Sequence, residues 1–352
     1  MTAIEAGALP TAHGEPPAIG RIRVEPEDFR VEEEMGFEPD GAGSHVLLTV
    51  EKRGANTGWV ASQLARAAGI SVRDVGFSGH KDRHAVTVQA FSVPSPPDEP
   101  LEPILAHAGE GYRVIAVSRH GRKLRPGSHR ANRFELRVRG LQGDRGALEA
   151  CLQRIATLGV PNYFGPQRFG RDGSNLRRAR EWSMGGDAPR DRSQRAFALS
   201  AARGHLFNEV LAARVRRGDW NRLLPGEAVM LDGKRSFFAA PVIEPELAER
   251  AAAMDVHPSG PLPGRGAAAS TAVALSVEGR ALVGESALID LLVSQGLEHE
   301  RRSLRLPVRD CRWSVEGEDL RLWFTLPRGT FATAVLHEIL GDAWDAGEGG
   351  EE

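Results

Sequence analysis

A hairpin predicted within residues 75–91 constrains the fold of this chain more than any other stretch. Residues 75–77 have the pattern of a short buried strand, and residues 85–91 have the pattern of a second strand. The residues between them must turn the chain, and Gly79 supplies the backbone freedom that such a turn needs. We therefore expect a β-sheet organised around this hairpin.

The turn of this hairpin carries one carboxylate among several cations. Asp82 is the only acidic residue from Val75 to Val93, and it is flanked by His80, Lys81, Arg83 and His84. A carboxylate fixed in basic surroundings suits a nucleophile whose substrate is itself negatively charged. The alternative is that Asp82 only shapes the turn, as aspartate often does.

Four segments, taken in order, resemble one known family. The hairpin contains Gly79-x-Lys81-Asp82-Arg83-x-Ala85-Val86-Thr87-x-Gln89. This pattern is similar to the signature of the TruD family of tRNA pseudouridine synthases. Residues 26–33, 160–170 and 329–333 resemble further segments of the same family, and together the four span nearly the whole chain.

The resemblance implies a role for particular residues. The aspartate of the family signature is the catalytic nucleophile, and it corresponds to Asp82. Phe29, Asn132 and Phe331 correspond to residues of the substrate pocket. From the sequence alone, both phenylalanines could instead be core residues and Asn132 could only shape a turn. Arg23 stands where relatives often have lysine.

The implied reaction moves the C1′ bond of uridine from N1 to C5 of the base. A single carboxylate can add to the sugar or the base, or stabilise an electron-poor sugar carbon. We expect no metal and no cofactor, because the chain lacks GxxxxGK[ST], HExxH and CxxC patterns and has only two cysteines, Cys151 and Cys311. The base must leave its stack, so an aromatic platform and a polar group for the base edge are expected.

Charge is distributed unevenly along the chain, although the formal net charge is only −2. From Arg119 to Arg133 there are six Lys or Arg, two His and no acidic residue, and a second basic run lies between Arg168 and Arg180. A nearly neutral protein can still present a basic groove to phosphates. The alternative is an ordinary solvated surface. The predicted RNA contacts are Lys81, Arg83, Arg122, Lys123, Arg125 and Arg168.

The pattern of strands and helices predicts an α+β fold with a mainly antiparallel sheet. Further strands are predicted at residues 29–33, 45–52, 112–117, 134–138 and 320–326. Thr57 is predicted to cap one helix, and Asp144 a second helix that has Leu158 on its apolar stripe. Further helices are predicted from Ser200, at 245–254, at 286–295 and around Phe331, whereas 160–195 has a loop-like pattern. The resemblance implies a pseudouridine-synthase-like catalytic domain of residues 1–157 and 309–352. It also implies an α/β insertion (TRUD) domain of residues 158–308 that interrupts the catalytic domain.

The predicted function is a tRNA pseudouridine synthase that acts at uridine 13 of tRNA. A cytoplasmic location is expected, because no run of 18 apolar residues and no signal peptide is present. We predict tRNA as the partner, no membrane association and no obligate protein partner. One alternative is a noncatalytic RNA-binding protein on the same scaffold. Another is a glycoside hydrolase using Asp82 with a second carboxylate, which the basic surroundings disfavour.

Overall fold

A computed structural model describes residues 9–100, 104, 106–341 and 345–346. The chain forms two compact units, each assembled from separate stretches of sequence. The sheet unit comprises Ala18–Arg145, Val308–Gly329 and Ala343–Glu352, and the helical unit comprises Met1–Pro17, Gly146–Pro307 and Thr330–Asp342. The predicted boundaries of the catalytic and insertion domains stay a proposal. In the compact units, residues 146–157 and 330–342 group with residues 158–307.

The described strands and helices are numbered here in chain order. The strands are β1 Ala18–Ile22, β2 Phe29–Met35, β3 His45–Arg53, β4 Gly76–Phe77, β5 Val86–Pro94, β6 Ala108–Gly109, β7 Tyr112–His120, β8 His129–Gly143, β9 Val160–Pro161, β10 Glu227–Leu231, β11 Phe237–Ala240, β12 Val256–His257, β13 Ser259–Leu262, β14 Glu300–Ser303, β15 Arg305–Leu306, β16 Arg309–Glu316, β17 Asp319–Pro327 and β18 Asp345–Ala346. The helices are α1 Thr57–Ala67, α2 Arg145–Leu158, α3 Ser174–Ser183, α4 Arg192–Arg216, α5 Pro245–Ala252, α6 Ala272–Ala281, α7 Ser286–Ser294 and α8 Ala332–Leu340.

The sheet unit is built on one large sheet with the strand order β16-β17-β8-β2-β5-β3-β7-β6, to which β1, β4 and β18 add at the side. Neighbouring strands pair antiparallel except β2 with β5 and β1 with β18, which pair parallel. The hairpin predicted around the charged turn is present, because β4 pairs antiparallel with β5. The predicted α+β fold with a mainly antiparallel sheet is confirmed.

The core of the sheet unit lies between the sheet and α1. Val46, Leu48 and Val50 alternate along β3 and are buried against Val60 and Leu64 of the helix. Burying one side chain of this size contributes about 1.5–3 kcal/mol. The β3 alternation therefore fixes which face of the strand is turned toward the helix.

The helical unit is centred on α4, a helix of 25 residues that contacts α3, α6 and α7. Its buried face includes Leu206, Phe207, Val210 and Leu211. In the same unit, the Glu338 carboxylate accepts hydrogen bonds from the backbone N–H groups of Ala12 and His13 at 2.9–3.0 Å. A residue near the end of the chain therefore fastens the segment near its beginning.

Three details of the sequence prediction are wrong in the helical unit. The helix predicted from Ser200 begins at Arg192, where Asp191 caps it by accepting a hydrogen bond from the Gln194 N–H at 2.9 Å. Residues 160–195, predicted as a loop, contain α3. The first turns of α4 are exposed, and α3 is rich in arginine and buries only Ala179, so no apolar stripe marks them. Leu158, predicted on the apolar stripe of α2, is 39% exposed.

No helix in the described part of the chain is both long and apolar enough to cross a membrane.

Candidate active site

Asp82 lies in the loop that joins β4 to β5, at one end of the large sheet. Its Oδ2 atom is 2.7 Å from Nη2 of Arg23, and its Oδ1 atom accepts a hydrogen bond from the His84 N–H at 3.0 Å. The Asp82 side chain is 33% exposed. Both carboxylate oxygens are therefore oriented by the protein while the group stays accessible from outside.

Arg23 connects Asp82 to the predicted pocket residue Phe29. The Arg23 guanidinium carbon lies 4.3 Å from the centre of the Phe29 ring, a cation–π distance. Burial lowers the pKa of Arg23, and the Asp82 carboxylate opposes that lowering. Phe29 is 5% exposed and packs edge-on against Phe134, so its ring is a fixed support for the guanidinium.

The main chain of the Asp82 loop is held by side chains of α1 and β5. Gln89 Nε2 donates to the carbonyl of Gly79 at 3.1 Å, and the Lys81 N–H donates to Oγ1 of Thr57 at 3.0 Å. The Thr57 hydroxyl in turn donates to Gln89 Oε1 at 2.9 Å. The prediction that Thr57 caps α1 is wrong, because Asn56 occupies the cap position and the Thr57 hydroxyl is engaged with the loop.

Lys52 holds the same loop from β3. Its side chain is almost completely buried, and Nζ donates to the carbonyls of Ala55 at 2.8 Å and of Asp82 at 3.0 Å. Burial lowers the pKa of Lys52 to about 8, while the charges of Asp82 and Glu33 raise it and that of Lys81 lowers it. Lys52 therefore holds the peptide group of Asp82, and Arg23 holds the carboxylate of the same residue.

Lys81 forms a buried ion pair rather than facing solvent. Its Nζ atom is 2.5 Å from Oε1 of Glu33, with the two side chains 9% and 1% exposed. The other Glu33 oxygen accepts from the Ala90 N–H at 3.1 Å. This ammonium is directed at Glu33 and links the loop to β2, and the contact of Lys81 with RNA stays a prediction.

Asn132 lies on β8 directly opposite Glu33 in the strand register. It is 7% exposed, and within the described residues its Oδ1 atom has no hydrogen-bond partner. A buried acceptor without a donor is unfavourable until a donor reaches it. Asn132 is therefore able to receive an N–H group from a bound molecule.

The basic loop between β7 and β8 is fastened to the Asp82 hairpin. The Leu124 N–H donates to Oγ of Ser92 at 2.8 Å, and the Gly127 N–H donates to the carbonyl of Ser78 at 2.6 Å. Leu124 is buried, whereas its charged neighbours point outward. The predicted RNA contacts that are exposed on the sheet unit are Arg83, Arg122, Lys123 and Arg125.

His129 begins β8 close to these charges. Burial lowers its pKa to about 4, and the neighbouring cations Lys81 and Arg328 act in the same direction. The ring is therefore uncharged at neutral pH and adds no cation to the site.

The two remaining predicted site residues belong to the helical unit. Phe331 occupies the position before α8 and packs, partly buried, against the cluster that contains Tyr163, Phe164 and Phe207. Arg168 Nη1 donates to Oγ of Ser200 at 2.6 Å, and its guanidinium lies 4.8 Å from the centre of the Phe164 ring. The substrate contact of Phe331 and the RNA contact of Arg168 stay predictions.

The site is an open surface built from protein groups. Within the described ranges, no cluster of three or more His, Cys, Asp or Glu side chains is arranged to hold a metal ion. A cavity of about 320 Å³ in the sheet unit is lined mainly by charged side chains of β2 and β8, such as Arg30, Glu135 and Arg137, and Asp82 does not line it. The predicted nucleophile Asp82 therefore lies outside this cavity.

Lys52 is the main site residue that the sequence analysis did not identify. A signal for Lys52 was present in the sequence. Val46, Leu48 and Val50 lie on the buried face of β3, and Lys52, two residues after Val50, lies on the same face. A lysine at a buried strand position needs acceptors. The sequence does not reveal that those acceptors are carbonyls of Ala55 and of the Asp82 loop.

The sequence and the fold are similar to those of known proteins. The family described as tRNA pseudouridine synthase D (TruD) matches residues 6–182 and 190–339. Relatives named tRNA pseudouridine synthase D are 46% identical in Nitrosococcus oceani, over 97% of this chain and 96% of the relative, and 46% identical in Methylococcus capsulatus, over 94% of both. A solved structure from Methanosarcina mazei, described as tRNA pseudouridine synthase D, has the same fold. Its TM-score is 0.75 at 18% identity, and 95% of this chain and 96% of that one are covered.

Proposed function

The chain belongs to the tRNA pseudouridine synthase D (TruD) family, and from this premise we propose that it converts uridine 13 of tRNA to pseudouridine with Asp82 as the nucleophile. The observation that carries the proposal is the Asp82 carboxylate itself. It is one-third exposed, and Arg23 and the His84 N–H orient its two oxygens. Such a group can reach a bound nucleotide without first being reorganised.

The chemistry needs only this carboxylate and water. In one route, an Asp82 oxygen bonds to C1′ while the C1′–N1 bond breaks and its electron pair leaves with the base. The base turns, C5 bonds to C1′ and releases the carboxylate, and C5 then loses a proton while N1 gains one. In the other route, the carboxylate adds to C6 while the electron pair of the C5=C6 double bond moves onto C5 and its carbonyl. The C1′–N1 bond then breaks with its electron pair on N1, C5 bonds to C1′, N1 gains a proton, and loss of the C5 proton expels the carboxylate from C6 and restores the double bond. Each route conserves atoms and electrons within the nucleotide.

Asn132 and Phe29 serve the substrate in different ways in this proposal. The free Oδ1 acceptor of Asn132 suits an N–H group on the edge of the extruded base. Phe29 acts through Arg23, because the guanidinium covers its ring. Phe331 is proposed as an aromatic partner of the base on the family resemblance alone.

The proposed partner is tRNA, bound by the exposed cations Arg83, Arg122, Lys123 and Arg125, with Arg168 as a further candidate. No obligate protein partner is proposed. Because the substrate is tRNA, we place the activity in the cytoplasm.

The test is the substitution Asp82→Asn, which keeps size and turn-forming capacity but removes the nucleophilic oxygen. We expect folding and tRNA affinity to persist while single-turnover pseudouridine formation on an unmodified transcript falls by about three orders of magnitude or more. Asp74→Asn, the same change at an exposed position before β4, is the matched control and should retain full activity.

Three results would count against the proposal. Turnover near the wild-type rate in Asp82→Asn would leave Asp82 as a turn residue only. A wild-type protein that binds tRNA and forms no pseudouridine would favour the noncatalytic RNA-binding alternative. A transcript with cytidine at position 13 should yield no product, and product from it would contradict the assigned position.

A further inference from the structure

We propose that Lys52 is a positioning residue for the nucleophile. Lys52 fixes the peptide group of Asp82, while Arg23 fixes the Asp82 carboxylate. The inference rests on the proposed role of Asp82. It goes beyond that role because Lys52 touches neither the carboxylate nor any predicted substrate contact. The direct observation is that Lys52 Nζ donates to the Asp82 carbonyl at 3.0 Å and to the Ala55 carbonyl at 2.8 Å.

The burial of Lys52 is unfavourable for stability. Its side chain is 1% exposed, and in the described part of the chain no carboxylate oxygen lies within 4 Å of its ammonium. Burying a charge on main-chain carbonyls alone is less favourable than burying an apolar side chain of similar size. The preceding residues on the same buried face of β3 are all apolar, namely Val46, Leu48 and Val50. A lysine here therefore needs a reason other than the stability of β3.

The loop supplies that reason, because the other side chains that hold its main chain stop before Asp82. Gln89 holds the Gly79 carbonyl and Thr57 holds the Lys81 N–H, so both act before the nucleophile in sequence. Among the described side chains, Lys52 is the donor to the Asp82 carbonyl. Without Lys52, the peptide group that follows Asp82 can rotate, because the preceding held group of the main chain is the Lys81 N–H. The Asp82 carboxylate would move with that rotation. A displacement of about 1 Å at a reacting atom is enough to lower a rate about 100-fold.

The charge of Lys52 also responds to pH in the neutral to alkaline range. The ionised groups that act on it are Asp82, Lys81 and Glu33. Tyr112 is paired with Lys52 in register on β7, and its hydroxyl contacts Nε2 of His107. Burial is the largest influence and lowers the pKa of Lys52 to about 8. The ammonium is therefore present at neutral pH and is lost as pH rises above about 8, which weakens its hold on the loop.

The experiment compares Lys52→Met with Val50→Ala. Methionine keeps an unbranched side chain but cannot donate a hydrogen bond. Val50→Ala leaves a cavity on the same buried face of β3 without changing a contact to the Asp82 loop. We expect Lys52→Met to lower the single-turnover rate about 10- to 100-fold, with tRNA affinity changed less than about 3-fold and a Tm at or above that of the wild type. Val50→Ala should lower Tm and keep the rate per folded molecule.

A pH series separates positioning from a general structural effect. The wild-type single-turnover rate should fall between pH 7 and pH 9, while Lys52→Met should be slow and flat over the same range. If Lys52→Met does not fold, Lys52→Gln, which keeps an uncharged NH2 donor group on a shorter side chain, should be slow and equally flat. A wild-type rate unchanged across this range, or a Lys52 variant that folds and turns over at the wild-type rate, would overturn the inference.

The assay also separates this inference from the proposed function. A wild-type protein that makes no pseudouridine counts against the function of Asp82. An active wild type with an unimpaired Lys52→Met counts against Lys52 alone.

Discussion

Arg23 is the side chain on which the direction of the Asp82 carboxylate depends most closely. Its backbone has φ +57°, a left-handed conformation that costs a residue other than glycine about 1 kcal/mol or more. The guanidinium is then held between the Phe29 ring at 4.3 Å and the carboxylate at 2.7 Å. The strained backbone, the ring and the ion pair together specify one position for the cation.

Removing this cation should lower turnover more than stability. We expect Arg23→Ala to reduce single-turnover pseudouridine formation about 10- to 100-fold, equal to about 1.4–2.7 kcal/mol. Arg23→Lys should recover most of the rate, because an ammonium can still pair with Asp82. Arg21→Ala, at an exposed position on β1, is the control. A wild-type rate in Arg23→Ala would show that the His84 N–H alone orients the carboxylate.

The elements meet at a group of polar residues on one face of the large sheet. Glu33 on β2 lies opposite Asn132 on β8, and Lys52 on β3 lies opposite Thr87 on β5. Val31, Phe134 and Val50 stand two residues from Glu33, Asn132 and Lys52 on the same strands, and all three are buried. Polar residues thus interrupt the apolar face of these strands, and the Asp82 loop supplies partners for Glu33 and Lys52.

The ion pair between Glu33 and Lys81 should couple β2 to the loop energetically. Breaking a buried pair by removing one partner typically costs about 3–5 kcal/mol, because the other charge is left uncompensated. We expect Glu33→Gln to lower the free energy of unfolding by about 3 kcal/mol, and Glu33→Gln with Lys81→Met to lower it less than Glu33→Gln alone. Urea unfolding measures both.

Glu32→Gln is the matched control for this pair, because Glu32 is exposed on the same strand. It should change the free energy of unfolding by less than about 0.5 kcal/mol. Strictly additive effects of Glu33→Gln and Lys81→Met would contradict the coupling.

The elements that the sequence predicted are those with one buried face. Val46, Leu48 and Val50 alternate because β3 packs against α1, and this alternation is visible in the sequence. The Arg-rich α3, which buries only Ala179, and the exposed first turns of α4 have no such stripe, so local periodicity could not reveal them.

The site was predictable where a motif contains it and not where it depends on distant contacts. Asp82 follows from its charged turn and from the family signature. Thr57 was predicted to cap a helix, but its hydroxyl bonds Gln89, 32 residues along the chain. Lys52 reaches the carbonyl of Asp82 across 30 residues. Tertiary contacts of this kind override local rules such as capping.

For the whole molecule, net charge is a poor guide to RNA binding. The chain carries a formal charge of −2, yet the loop between β7 and β8 exposes cations next to the Asp82 hairpin. Each phosphate contact adds about 0.7–0.9 to the slope of log affinity against log salt. We expect Arg122→Gln with Arg125→Gln to reduce the magnitude of this slope by about 1.5.

Arg235→Gln, in the helical unit where Arg235 is 82% exposed, is the control for this charge effect and should leave the slope unchanged. Titrations of tRNA at several salt concentrations provide the measurement. An equal slope in the double variant and the wild type would remove the basic loop from the RNA-binding surface.

The pairing of β8 has a consequence for synthesis of the chain. One edge of β8 receives β17, which ends at Pro327, whereas β8 itself ends at Gly143. At translation rates of about 5–20 residues per second, about 10–40 s separate the two strands. During that time the β8 edge is an unpaired template for other strands. The large sheet therefore cannot be completed from the N-terminal residues alone, and β8 keeps an open edge until the residues of β17 have been synthesised.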